Sequence, residues 1–267
     1  MVQTKSCSSD LLSPSGPSGS NREAVGLVIP AHNEEPILAA CLNSLRLFQE
    51  AGDPILVVDA ASTDRTAEIA RQAGVHVVTA ASPSRGLAVE RGVWELLALE
   101  IPLDVILIVH ADMVLSPLVR PRLIQALRAH PEAPGGSLGH RIEAPGAGYR
   151  LIEWGNRYRA RFLHIPYGDQ AQFFRPGVLP RIGGFPCQER LEDLELALRL
   201  RKAGPLVYLN LPVCISARHW QRGIVSTTAR NWWTVLRYLR RRMMSRDNPI
   251  PSSRPAGEQG KTTEIDL

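Results

Sequence analysis

Several absences narrow the field before any motif is read. The four cysteines, Cys7, Cys41, Cys187 and Cys214, share no CxxC spacing, which points to a reduced compartment and no structural zinc. Neither GxxxxGK(S/T) nor GxGxxG occurs, so the chain is neither a P-loop protein nor a classical dinucleotide fold. No apolar run has membrane-spanning length, and no internal repeat is visible. Gly26 to Pro30 opens the first apolar segment, too short for a signal peptide, and the residues before it are not apolar enough to supply one. Excess charge is scarce too: the formal net charge is +5, with acids and bases mixed through most of the chain. A nucleic-acid binder would gather that charge on one face, so no nucleic-acid partner is expected.

What is present is a pattern of strands alternating with helices, the signature of βαβ units. The 267 residues suffice for one large α/β domain or two small ones. Residues 1–23, rich in Ser, Pro and Gly, read as a disordered leader. Strands are expected over Val25–Ile29, Ile55–Val58 and Val75–Val78, and helices over Ile37–Phe48, after a Ser62-Thr63-Asp64 cap, and over Leu87–Leu99. The stretch Val105-Ile106-Leu107-Ile108-Val109 has no alternation, as a strand buried on both faces reads, and it ends abruptly in His110-Ala111-Asp112.

Open α/β sheets bind ligands at the carboxyl ends of their strands. Pro30, Asp59 and Asp112 fall at the exits of three such strands. Acids gathered on one sheet edge repel unless a cation or hydrogen-bond donors offset them. That points to magnesium or manganese with a phosphorylated ligand, since these ions use few protein carboxylates and complete their shell with phosphate oxygens and water. Asp112 could equally cap the turn that precedes Ser116-Pro117.

In this order, Val28-Ile29-Pro30-Ala31-His32-Asn33-Glu34-Glu35, Val57-Val58-Asp59-Ala60-Ala61-Ser62-Thr63-Asp64-Arg65-Thr66 and His110-Ala111-Asp112 resemble the family 2 glycosyltransferases. The resemblance continues through Tyr167-Gly168-Asp169-Gln170, Gly183-Gly184-Phe185, Leu191-Glu192-Asp193-Leu194-Glu195 and Ser216-Ala217-Arg218-His219-Trp220, covering roughly residues 25–240. The form with His-Ala-Asp and Tyr-Gly-Asp-Gln is similar to a bacterial subgroup labelled arsenosugar-biosynthesis-associated glycosyltransferases. Any one of these pieces is weak; together, in register, they are strong.

The resemblance implies a GT-A-like, mostly parallel nucleotide-sugar-binding sheet flanked by helices, and sugar transfer from a nucleotide-diphosphate donor with inversion. Pro30 and Glu34 would line the nucleoside pocket, and Asp59 would hydrogen-bond the base or ribose. Asp59-Ala60-Ala61-Ser62 lacks the second acid that the family often has there. Asp112 would hold a divalent cation, Mn or Mg. His110 stands where the family has another acid; it would be a direct ligand, a ligand through water, or a hydrogen-bond donor behind the ligands, the last two being favoured. Arg85 and Arg218 would face the donor's phosphates, for which a guanidinium fork is suited. Asp193 would be the base and Glu192 would orient it; Asp169, Gln170 and Trp220 would belong to the acceptor side. Each has a bland counterpart: a solvated arginine, a turn Asp, a packing Trp, or acids that only complement a helix dipole.

Further expectations concern the second half. Gly135-Gly136-Ser137-Leu138-Gly139 reads as a flexible connection, residues 149–164 as a helix mixing aromatics with arginines, Gln170–Phe174 as a strand, and Leu206–Leu209 and Val213–Ser216 as strand-like. Residues 24–246 are taken as one transferase domain: a nucleotide-binding half over 24–130, an acceptor half over 131–222 and a basic amphipathic helix over 223–246. From Arg230 to Arg246 there are six arginines and no acid, with Trp232, Val235, Leu236, Leu239 and Met243 on one helical side. Such a helix suits an anionic membrane surface, or docks on its own domain. A lipid-linked or hydrophobic hydroxyl acceptor and a cytoplasmic protein, peripheral at the inner face of the cell membrane, follow from the first alternative. Residues 247–267 read as a disordered tail. The competing reading is a degenerate nucleotide-binding or membrane-associated scaffold.

Overall fold

The unbroken apolar strands make sense once their side chains are divided between two faces. The computed structural model describes residues 23–220 and 223–244; the leader expected over 1–23 lies outside it except for Glu23, as does the tail. Strands β1 (Val25–Ala31), β2 (Ile55–Ala60), β3 (His76–Ala80) and β4 (Val105–Ile108) pair in parallel in the order β3-β2-β1-β4. Val25, Leu27, Ile29, Val105 and Leu107 point into one core cluster, while Val28, Ile106 and Ile108 point into the other. Alternate residues are thus buried on opposite sides, so neither face leaves a polar signature.

Helices α1 (Leu38–Ser44), α2 (Arg46–Glu50), α3 (Thr66–Gln72) and α5 (Val119–Ala129) supply the first cluster. Helices α4 (Arg85–Ala98), α7 (Leu179–Ile182) and α8 (Glu192–Ala203) supply the second. The remaining strands β5 (Met113–Val114), β6 (Gly135–Ile142), β7 (Gln172–Phe174) and β8 (Val207–Ile215) complete one eight-stranded sheet, ordered β3-β2-β1-β4-β7-β6-β8-β5. β7 runs against β4 and β6, and β5 against β8; the other strands run one way. Helix α6 (Ala147–Phe162) packs on β6 and β8, and α9 (Ile224–Met244) lines the same cleft as α6.

Four expectations are corrected here. The Gly135–Gly139 stretch is a strand, not a flexible connection. A Cβ on Gly135 would lie 2.3 Å from Phe173 O and one on Gly136 would lie 2.0 Å from Val207 O. The glycines let β7 and β8 approach, so close packing accounts for a composition that imitates a linker. The helix expected over 37–48 breaks at Leu45, whose N–H bonds Leu42 O at 3.0 Å, yet Leu42, Leu45 and Phe48 all still reach the core. β8 is continuous where two pieces were expected, with an irregular register between Ser137 and Gly139 of β6. Residues 168–170 form a 3-10 turn, and β7 begins only at Gln172.

Adding one methyl at the tightest of these positions tests the close approach. Gly136→Ala should cost about 1–3 kcal/mol or more, as overpacking against backbone does. Gly177→Ala, where nothing lies within 4 Å of the added carbon, should change urea midpoints little.

Candidate active site

The loops after β1 and β2 are sewn together by side chains. Asn33 N–H donates to Ser62 Oγ at 2.9 Å, Thr63 N–H to Asn33 Oδ1 at 2.8 Å, and Glu34 N–H to Thr66 Oγ1 at 2.8 Å. Asp64 Oδ1 accepts from Thr66 N–H at 3.0 Å just ahead of α3, whose N-cap is Arg65 and not a residue of the expected Ser62-Thr63-Asp64 cap. Asp59 is buried and pairs in register with Ala31, and its Oδ1 accepts from Ser62 N–H at 3.3 Å. Pro30 is buried within β1. Both stand at the carboxyl edge of the sheet but not on the wall of the large cleft beside it.

That cleft, about 1970 Å³, is lined by Arg85, His110, Asp112, Asp169, Asp193 and Trp220 among the expected residues. Its floor is built where β4 ends. β4 stops at Ile108, and the chain turns through Val109–Asp112 with Met113 N–H bonded to His110 O at 3.0 Å. Opposite, Asp193 at the start of α8 accepts from Gly168 N–H at 2.7 Å and from Leu194 N–H at 2.8 Å. Gly168 is wedged between the two. A Cβ there would lie 2.8 Å from His110 Cε1 and 3.1 Å from Asp193 Oδ2.

Charge is distributed unevenly over this floor. Arg85 Nε donates to Glu192 Oε1 at 2.7 Å, and a second guanidinium nitrogen stands 3.9 Å from Asp193 Oδ2. Glu192 is 2 % exposed, and its Oε2 is buried without a hydrogen-bond partner. Burial and then the neighbouring Asp193 charge raise its pKa above the ordinary carboxylate value, against the pull of Arg85. Burial and the Arg85 charge push His110 down to about 4, while Asp193 and Asp169 oppose them. Its imidazole is therefore neutral at pH 7, and a neutral ring nitrogen can accept or ligate. Asp112 is raised by burial and by Glu34, against Arg218. Glu34 and Arg218 pair with each other at 2.7 Å beside it.

Among the described residues no group of three or more His, Cys, Asp or Glu forms a metal cage. A magnesium-type site needs only one or two carboxylates, the rest of its shell coming from ligand and water. Asp112, under the negative potential of Glu34 and Asp169, together with neutral His110, is a donor set of that kind.

Two expected residues take other places. Gln170 is buried: its Oε1 accepts from Tyr167 N–H and Arg159, each at 3.3 Å, so it braces the turn that presents Gly168 instead of facing an acceptor. Glu192 meets Arg85 and does not line the cleft. Trp220 is buried at the cleft wall, edge-on to Tyr149 at 6.2 Å. Sequence reasoning passed over Glu195. This buried acid binds Arg199 at 2.8 Å, Arg242 at 2.7 Å and the Tyr238 hydroxyl at 2.6 Å, tying α9 to α8. Its spacing of four from Arg199 was visible, but the partners on α9 were not.

A curled, mostly parallel sheet with helices on both sides and acids meeting where β4 ends is the GT-A fold. Residues 27–185 match the family model for glycosyl transferase family 2, and the chain belongs to that family. An uncharacterized glycosyltransferase of Mycobacterium bovis is 31 % identical over 200 residues, covering 68 % of this chain and 81 % of its own. Glycosyltransferase AglJ of Haloferax volcanii is 30 % identical over 149 residues, 55 % of this chain; the chain spans only 46 % of that relative's length. In fold, glucosyl-3-phosphoglycerate synthase from Mycobacterium tuberculosis, solved with Mn2+, uridine-diphosphate-glucose and phosphoglyceric acid, superposes with a TM-score of 0.56 at 18 % identity, covering 77 % of this chain and 78 % of that one. These relatives establish the family and do not extend to the arsenosugar-associated subgroup.

The buried pair gives a pH-dependent expectation. Arg85→Met leaves Glu192 uncompensated and should cost about 2 kcal/mol near neutral pH, below the full value for a buried pair because Arg85 is half exposed to solvent. A carboxylate whose folded pKa lies above its unfolded value destabilises only while ionised. The deficit of the variant should therefore shrink as pH falls from neutrality toward the ordinary value of 4.5. Urea titrations of both proteins across that window would show a constant difference if Glu192 is not the cause.

Proposed function

We propose that this chain transfers a sugar from a nucleoside-diphosphate donor to a hydroxyl acceptor, with inversion at the anomeric carbon and with a divalent cation, Mn or Mg. The observation that carries this reading is that Asp112 and Asp193, from distant parts of the chain, line one cleft with Arg85 and His110. The solved glucosyl-3-phosphoglycerate synthase contains Mn2+ and a uridine-diphosphate sugar within the same fold, which supports both the donor class and the cation.

In this reading the knotted loops after β1 and β2 hold the nucleoside, with Pro30, Glu34 and Asp59 at its edge. Asp112, with His110, would hold the cation, which would supply positive charge against the departing diphosphate. Asp193 takes the proton of the acceptor hydroxyl as that oxygen bonds to the anomeric carbon, and the bond from that carbon to the diphosphate oxygen breaks on the opposite face. Arg85 holds Glu192 and lies against Asp193, so it orients the base and adds positive charge beside the leaving group. Arg218 is tied to Glu34 at 2.7 Å and would exchange that partner for phosphate. Asp169 and Trp220 border the acceptor. That acceptor is hydrophobic or lipid-linked, since most of the rest of the cleft wall is apolar, and residues 229–246 contact an anionic membrane at its cytoplasmic face.

Ligand that binds only the folded state raises apparent stability, by about 2.7 kcal/mol at a hundredfold excess over Kd. Nucleoside diphosphates should raise the melting temperature in a manganese-dependent way, and Asp112→Ala should remove the manganese-dependent part. Asp193→Asn should keep that shift while slow donor hydrolysis falls by about 10²-fold or more. A shift that is indifferent to manganese and to Asp112 would overturn this reading.

A further inference from the structure

The cleft is larger than a small-molecule site of about 300–1,000 Å³, and its outer walls are two helices with apolar side chains turned to solvent. On α6, Trp154, Tyr158 and Phe162 follow one another at helical spacing, 63 %, 49 % and 60 % exposed. Their rings stack in series, at 6.0 and 5.0 Å between centroids, with the Arg161 guanidinium 5.5 Å from the Phe162 centroid, and they belong to neither core cluster. Leu151 and Leu163 continue the exposed stripe. On α9, Trp232, Trp233 and Leu236 are exposed along the same cleft. The two helices meet at their N-terminal ends, where Ile224 Cδ1 lies 3.1 Å from the place a Cβ on Gly148 would occupy. Apolar surface of this extent, rimmed by charge, marks a contact face.

The two helices carry mostly positive charge, although Glu189 and Asp169 stand on the cleft wall between them. α9 contains no acid from Ile224 to Met244. Arg230, Arg237, Arg240 and Arg241 are exposed and form no ion pair among the described residues. The one acid of α6, Glu153, is committed to Arg150 at 2.9 Å and to Ile142 N–H at 2.6 Å. A second copy on this face would set arginine against arginine. A nucleic acid would match the charge but leave Leu151, Leu163, Leu236 and Met243 in water. An anionic bilayer satisfies both, taking aromatic and aliphatic side chains below the headgroups and arginines at their level. No described helix is long and apolar enough to cross it.

The geometry points to α6 and α9 as one docking face for an anionic phospholipid bilayer, with the Asp193 cleft opening inside that face. This rests on the transferase reading and sharpens it: the acceptor hydroxyl arrives from the lipid surface between the two helices, while the donor enters from water past the β1 and β2 loops. It also gives α6 a role equal to that of the basic helix.

The test sediments the full chain with vesicles of phosphatidylcholine alone and of phosphatidylcholine mixed with phosphatidylglycerol. Binding is expected only to the anionic vesicles and should weaken with salt. Replacing Trp154, Tyr158 and Phe162 together by Ala should weaken it at least about tenfold with the melting temperature little changed, because those rings lie outside the core. Arg237→Glu with Arg240→Glu should do the same through α9. Equal binding by the α6 variant, no binding to either vesicle, or a concentration-dependent dimer that the α6 variant abolishes would each overturn the proposal. Nucleoside-diphosphate binding measured on the same preparations separates the two readings: intact nucleotide binding with failed vesicle binding sinks the docking face alone, and the reverse sinks the transferase.

Discussion

Everything at the cleft floor depends on a gap at Gly168 that admits no side chain. His110 comes from the end of β4 and Asp193 from the start of α8, and each packs against the same backbone atoms. The Gly168 N–H holds the Asp193 carboxylate at 2.7 Å, so the distance between the two halves of the site is set by one residue. Gln170 braces that turn from behind, and Gln172 donates to Asp193 O at 3.0 Å from the neighbouring strand. The Asp193 carboxylate is thus positioned by backbone and buried amides, which move less than long side chains.

Around that gap the charges fall into three groups. The half-exposed Arg85 and the buried Glu192 form a pair that lies against Asp193. Glu34 and Arg218 form a half-exposed pair beside Asp112. Glu195, with Arg199, Tyr238 and Arg242, sits behind the floor and ties down α9. Asp112 is raised by burial and by the charge of Glu34, against Arg218, and Asp169 shares the cleft with a buried Oδ1 that has no hydrogen-bond partner among the described residues. Acids left without a matching charge on the cleft wall are where added positive charge lowers the energy most.

The strands of the first half were legible because burial on both faces erases alternation, and β1, β2 and β4 each carry such a run ending near an acid or a proline. α8 was legible from its acids and the Gly204 stop. β6 was not: Gly135 and Gly136 have the composition of a linker, and only the neighbouring backbones of β7 and β8 show why nothing larger fits. The site was legible as a set of acids and arginines but not in its division of labour. Gln170 and Glu192 turned out to brace and to pair, because whether a polar residue faces a cleft or supports one depends on partners far away in sequence. Glu195 was missed for the same reason, its decisive contacts being 43 and 47 residues downstream.

The stitching between the β1 and β2 loops has a consequence for how donor choice could change among relatives. Asn33 and Ala61 already occupy left-handed backbone conformations, and the two loops share hydrogen bonds in both directions. A nucleoside entering there would meet a preorganised rim and lose little free energy to ordering it. Selectivity between bases would then be altered by exchanging single side chains on a fixed frame, and a loop insertion that undid the stitching would weaken every nucleoside alike.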